Sequence, residues 1–388
     1  VPSHWESFPL FVQAKISSIT NHIDKELLSV YLDRGVVRFS DVDEKRTNVT
    51  SLDLSKYQLV RKGNLVLNNQ QAWRGSVGVS SYEGIVSPAY LILELSNKFD
   101  PHYANYLFRN SSMVSHYLIA SKGVGTIQRN LYWGNLRRTP IFIPPLSEQQ
   151  KISQFLDDKT SKIDQAVDLA EKQIALLKEH KQILIQNAVT RGLNPDVPLK
   201  DSSVEWIGQV PEHWEVKKLK FVLTLSNKKE ESKNSNKRYI GMENIESFTG
   251  KINDIPLIAE GIANSFYKDE ILFGKLRPYL AKSYLADFDG ICSTEFLVYR
   301  STKVLNNRFA LNIFLSYGFI DAVNASTYGS KMPRANAEFI SNMFLAIPPL
   351  SKQKQIIDYL DTQTAKIDQA IALKTAHIEK LKEYKSVL

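Results

Sequence analysis

The chain has 388 residues, enough for two or three domains with separate cores, and its 43% hydrophobic and 23% charged content is that of an ordinary globular protein. No apolar run approaches the roughly 20 residues of a membrane span and no start resembles a signal peptide, so a cytoplasmic protein without a membrane partner is expected. One cysteine, Cys292, excludes an internal disulfide and a cysteine-only metal site, and its apolar setting (GICSTEFLVY) suits a buried thiol better than a nucleophile. The net charge of +8 favours a polyanionic partner, though only if the charge falls on the binding domains.

A first head spans residues 1–142. After VPSHWESF, the stretch NHIDKELLSVYLDRG is a helix candidate, with Gly35 placed to end it at a C-cap. Short strands follow: YQLVRKGNLVLNN, SVGVS and GIVSPAYLILEL alternate or run apolar between Gly, Asn and Ser. PHYANYLFRNSSMVSHYLIAS then carries Tyr103, Tyr106, Leu107, Met113, Val114 and Tyr117 near helical spacing. KGVGTIQRNLYWGN is a Gly-punctuated loop, and TPIFIPP an edge strand stopped by two prolines. A helix takes residues 143–190, an extended connector 191–209, a second head 210–346 and a second helix 347–388.

The second half repeats the first. IPPLSEQQKISQFLD from Ile143 returns as IPPLSKQKQIIDYLD from Ile347, an offset of 204, and about half of the positions along the two helices are identical. Lys62–Leu93 aligns without gaps on Lys268–Tyr299 at an offset of 206, setting KGNLVLNNQQAW against KDEILFGKLRPY and YEGIVS against FDGICS. One scaffold with two sets of loops is the pattern of two specificities.

Ser147 and Gln150 fit a capping box on the first helix, and Ser351 with Lys354 keeps half of one on the second. Ile163, Val167, Ala170, Ile174, Leu177 and Leu184 follow the 4-3 spacing of a coiled-coil seam. Ile367, Ile371, Ile378, Leu381 and Leu388 repeat it, with Lys181, Lys374 and Lys385 interrupting. Each helix either buttresses its own head or pairs with the other, the pairing residues then being Ile163, Val167, Ile174, Leu177, Ile367, Ile371, Ile378 and Leu381. A narrow apolar stripe on a polar helix requires one partner or the other.

Together these motifs, with the connector TRGLNPDVPLKDSSVEWIGQVPEHWE, resemble the specificity subunit of a type I DNA restriction–modification enzyme over essentially the whole chain. The resemblance implies an α+β fold: two mixed α/β target recognition domains joined by two long antiparallel helices as a coiled-coil spacer, with a pseudo-two-fold internal repeat. It implies double-stranded DNA, two methyltransferase subunits and motor–nuclease subunits as partners. No cofactor is expected in this chain; S-adenosylmethionine, ATP and Mg would belong to the partner subunits, whose assembled complex would methylate adenine-N6 and cleave DNA with ATP.

The residues agree with a role in address rather than chemistry. An adenine methyltransferase needs Asn/Asp-Pro-Pro-aromatic, whereas the nearest string, Ile143-Pro144-Pro145-Leu146, lacks both amide and ring. A G-x-x-x-x-G-K-[ST] loop and an H-x-x-x-H pair are both missing. Base reading needs Arg or Lys for guanine and Asn or Gln for adenine. The first head offers Asn68, Asn69, Gln70, Gln71 and Arg74 after one strand, then Lys122, Thr126, Gln128, Arg129 and Asn130. The second offers Lys275, Arg277, Tyr279 and Lys282, then Ser330, Lys331, Arg334 and Asn336. Trp73, Tyr132 and Trp133 either stack on bases or pack the core. Lys217, Lys218, Lys220, Lys228, Lys229 and the Lys233–Arg238 run either attract phosphates or form a mobile solvated loop broken by Glu230 and Glu231. The competing reading of the whole chain is a coiled-coil scaffold joining two proteins, with DNA incidental.

Overall fold

The computed structural model describes residues 1–42, 53–124, 128–327, 329 and 331–388. The chain divides into two units, Val1–Gln165 with Val387–Leu388, and Ala166–Ser386, the boundary falling inside the long central helix Leu146–Thr190.

In the first unit Ala14–Ser17, Tyr90–Leu95, Leu65–Asn68 and Val77–Val79 form an antiparallel sheet in that order. Successive side chains point to opposite faces. Leu65, Leu67 and Leu93 join Phe108, Tyr117 and Leu136 in one core, while Val66 and Ile92 join Leu28, Val30, Val36, Val60 and Val86 in another. Burial on both faces is why the central strands read as unbroken apolar runs. Gln58–Val60 pairs with Gly84–Val86, and the glycine is required there: a Cβ would stand 2.5 Å from the Glu26 carbonyl oxygen.

Three expectations are corrected in this head. NHIDKELLSVYLDRG is not a helix: Leu28–Tyr31 and Gly35–Arg38 pair as a hairpin. Gly35, at φ +68°, shapes the turn, and burial of Leu28, Val30 and Val36 in the second core outweighs local helix preference. The single helix over 101–121 is two, Pro101–Arg109 and Ser111–Ala120, broken at Asn110, whose Oδ1 accepts from the Met113 amide at 2.8 Å and caps the second. KGVGTIQRNLYWGN is not loop throughout: Ser121–Val124 pairs antiparallel with Gln128–Leu131, and a single helical turn follows at Trp133–Leu136. TPIFIPP is the strand Pro140–Ile143, paired with Glu6–Pro9.

The second unit repeats the four-stranded sheet register for register. Leu223–Ser226, Phe296–Ser301, Ile271–Gly274 and Ser283–Leu285 take the same order, and Ile271 faces Tyr299 as Leu65 faces Leu93, both partners displaced by 206. Its second face is larger: Lys229–Glu231, Ile262–Phe266, Gly290–Cys292 and Tyr239–Ile240 make a four-stranded mixed sheet. Much of the lysine-rich stretch is therefore folded. Glu230 accepts bonds from Lys237, Ser235 and Ser265, which hold its carboxyl down at about 2. Cys292 is fully buried, and burial pushes its thiol up to about 12.

The capping box at Ser147 is also corrected. The central helix begins at Leu146, and the Pro145 carbonyl accepts from the amides of Glu148 and Gln149, so Ser147 sits within the first turn. The anchoring falls to Gln149, which is fully buried. Its Nε2 donates to the carbonyls of Lys98 (2.7 Å) and Pro144 (2.8 Å), and its Oε1 accepts from the Asp100 amide at 2.8 Å. Gln353 at the start of the distal helix Leu350–Val387 repeats all three bonds, donating to Val304 (2.9 Å) and Pro348 (2.8 Å) and accepting from Asn306 (2.7 Å). The repeated IPPLSxQ motif thus encodes a fastening between head and helix.

Within the second unit the two long helices are neighbours. Lys181 Nζ donates to Asp368 Oδ1 at 2.6 Å, and Lys374 Nζ to Gln173 Oε1 at 2.6 Å. The partners advance in opposite directions, so residues 166–190 and the distal helix run antiparallel. In this unit Ile367 and Ile378 are buried and Val167, Ile174, Leu177, Ile371 and Leu381 half-buried; Ile163, which belongs to the first unit, is buried. Two of the interrupting lysines are therefore donors to the facing helix. Buttressing coexists with pairing: Ile185, Ala188 and Val189 of one helix and Ile356, Ile357 and Leu360 of the other enter the second head's core.

Candidate nucleic-acid interface

In each head the two singled-out stretches meet where the inner strand ends. In the first, Leu65–Asn68 passes through a turn into the 3-10 helix Ala72–Arg74. Asn68 Oδ1 accepts from the Gln70 amide at 3.0 Å, and Trp73 Nε1 donates to the Gln70 carbonyl at 2.9 Å. The Leu131 amide donates to the Asn69 carbonyl at 2.9 Å, tying the strand Gln128–Leu131 to this turn.

That junction assembles a basic, aromatic surface. The guanidiniums of Arg74 and Arg129 lie 4.6 and 5.7 Å from the Trp73 ring centroid, and the Lys122 ammonium 5.5 Å from that of Tyr132. Gln70, Gln71, Arg74 and Lys122 are exposed, and Asn68, Asn69, Arg129 and Asn130 are half-buried. Trp133 instead packs against the core. Thr126 lies outside the described residues.

The second head repeats the junction. The Ala335 amide donates to the Lys275 carbonyl at 2.9 Å, and the Arg277 amide to Pro333 at 2.7 Å. The 3-10 helix Pro278–Leu280 stands 206 residues after Ala72–Arg74, bracketed by Arg277 at φ +51° and Ala281 at φ +44°. Here the candidate side chains separate into two groups. Arg334 grips Glu295 through Nε (3.1 Å) and Nη2 (3.0 Å), Lys282 donates to the Met242 carbonyl at 2.6 Å, and Asn336 Oδ1 caps the helix Ala337–Asn342. These three brace the loop. Arg277, Tyr279 and Lys331 are exposed and Lys275 is half-buried. Ser330 lies outside the described residues.

Sequence reasoning missed Glu295, because a lone carboxylate in a basic head reads as solvated surface. Its alignment on Ala89, 206 residues earlier, was the available signal that it belongs to the second head's loop alone. Among the described residues no group of three His, Cys, Asp or Glu could hold a metal ion, and no helix is long and apolar enough to cross a membrane.

Residues 18–179 and 211–383 each match the family described as the type I restriction modification DNA specificity domain. The chain belongs to this family. Two specificity domains in one chain account for heads that share a backbone and differ in their exposed donors, and the family's function is DNA sequence recognition. The chain is 22% identical to the type I restriction enzyme EcoDI specificity subunit of Escherichia coli over 321 residues, which is 73% of this chain and 72% of that one. It is 22% identical over 408 residues to the putative type I restriction enzyme MjaX specificity subunit of Methanocaldococcus jannaschii, covering 99% and 92%. The crystal structure of the HsdS subunit from Thermoanaerobacter tengcongensis shares the fold at a TM-score of 0.60 and 16% identity, covering 100% of this chain and 96% of that one. A chain from work on complex assembly and conformational transition of the type I R-M system aligns at 0.70 and 15% identity, also covering 100% and 96%.

Proposed function

We propose that this chain is the non-catalytic recognition subunit of a type I restriction–modification complex, each head reading one half of an asymmetric two-part DNA site. The observation that carries this reading is the shared junction: Leu131 to Asn69 and Ala335 to Lys275 are the same backbone bond, and the side chains displayed around it differ. The net charge of +8 supports a DNA partner. The long helices set the unread spacer and dock two methyltransferase subunits, with motor–nuclease subunits joining for cleavage. S-adenosylmethionine, ATP and Mg are bound by those partners.

The test is to map methylated adenines across a genome carrying the complex. A two-part motif with a fixed spacer is expected. Inserting four residues after Asp168 should lengthen the spacer and leave both half-sites intact. Methylation without a motif would overturn the recognition role and leave a protein-joining coiled-coil scaffold; an unchanged spacer would overturn the ruler.

A further inference from the structure

We infer that Gln71 in the first head and Arg277 in the second are equivalent base-reading residues, Gln71 directed to an adenine and Arg277 to a guanine. This rests on the two-half-site reading above and adds to it the residue and the base class in each head.

The two positions are the same place in the fold. They are 206 residues apart, like the sheet strands that precede them, and each immediately precedes a 3-10 helix of three residues, Ala72–Arg74 or Pro278–Leu280. Both are exposed, and among the described residues neither side chain has a hydrogen-bond or ion-pair partner. The neighbouring polar groups of the second head differ in this respect, since Lys282, Arg334 and Asn336 are committed to Met242, Glu295 and a helix N-terminus.

Two features set these residues apart from ordinary surface donors. Each is followed two positions later by an aromatic ring, Trp73 or Tyr279, able to lie against DNA beside the donor. Arg277 also occupies the left-handed region at φ +51°, where glycine would be unstrained. The bond from its amide to the Pro333 carbonyl holds it there, against the extended backbone that a following proline favours. Arginine in a conformation that favours glycine indicates a side chain retained for what it touches. The chemistry then assigns the bases: a glutamine carboxamide matches the N6 and N7 of adenine, and a guanidinium the O6 and N7 of guanine.

The complete complex, with its methyltransferase subunits, should be used to select from a duplex library randomised across both half-sites. The parent is expected to select a motif with an adenine in one half and a guanine in the other. Arg277→Gln should lose the guanine preference at one position by about 10- to 100-fold and leave the first half-site intact. Arg277→Gly, which relieves the backbone while removing the guanidinium, should lose the same preference, so misfolding cannot imitate the result. Gln71→Ala should relax one adenine in the opposite half. A uniform fall in affinity with no change of motif would make Arg277 a phosphate contact and overturn the inference, as would unchanged selection. If the parent itself selects no motif, the two-half-site reading fails instead.

Discussion

Lys181 on the central helix donates to Asp368 on the distal helix at 2.6 Å, with 13% of the lysine side chain exposed. A charged pair within an apolar stripe is satisfied in only one register, so this contact pins the sliding of one helix along the other. Lys181→Met strands the carboxylate beside its remaining neighbour, Lys251 at 3.6 Å, and should lower stability by about 1–3 kcal/mol. Combining it with Asp368→Leu should recover part of that loss. A double-mutant cycle from urea unfolding checks this, and a coupling under about 0.3 kcal/mol would deny the pair its role.

Gln149 and Gln353 each make three hydrogen bonds from a fully buried carboxamide. Substitution by leucine keeps the bulk and orphans one amide and two carbonyls in each head. Each variant should cost about 2–4 kcal/mol, allowing about 1–3 kcal/mol per unsatisfied group and partial access of water. Equal losses from the two variants are expected, since the bonds are the same. Chemical denaturation monitored by tryptophan fluorescence would show it, and a neutral Gln149→Leu would refute the fastening.

The Glu230 carboxyl titrates at about 2 in the folded chain against an ordinary 4.5, lowered by its bonds from Lys237, Ser235 and Ser265. A depressed acid stabilises fully above 4.5 and loses that contribution as pH falls toward about 2. Glu230→Gln should therefore unfold at lower urea than the parent at pH 7, with the gap closing through that acid window. A gap independent of pH would mean that the charge on Glu230 contributes nothing.

Cys292 combines full burial with a thiol pushed up to about 12. It should resist Ellman's reagent in the native chain at pH 8 and react at once in denaturant. Rapid native labelling would place it on an accessible surface.

The scaffold was legible because its signals are long and duplicated. Two copies of the IPPL helix and a gap-free block at 206 fixed the two-head plan, and the match of Ile271–Tyr299 to Leu65–Leu93 follows from that block. The misread elements are short. Leu28, Val30 and Tyr31 sit as readily on a helix stripe as on a strand, and only pairing with Gly35–Arg38 and burial beneath the sheet decide between them. The site was legible as a set of loops but not as a division of labour. Arg334 and Arg277 look alike in sequence; a carboxylate 39 residues from Arg334 in the chain separates them.

Asp100 and Asn306, the helix caps received by Gln149 and Gln353, lie 206 residues apart, as do Asn110 and Ser316 before the second helices of each pair. Leu131 and Ala335 are 204 apart. A two-residue change in chain length between the halves therefore falls between the helix pair and the backbone bond that closes the junction, and a three-residue change falls earlier, between the first sheet strand (Ser17 and Ser226, 209 apart) and the gap-free block that begins at Lys62. Across both changes the four-stranded sheet keeps its register, Ile16 facing Leu93 as Leu225 faces Tyr299, and the glutamine fastening keeps its three bonds. A lineage of such chains can change what it recognises by drift in such spans, while its folding problem stays solved.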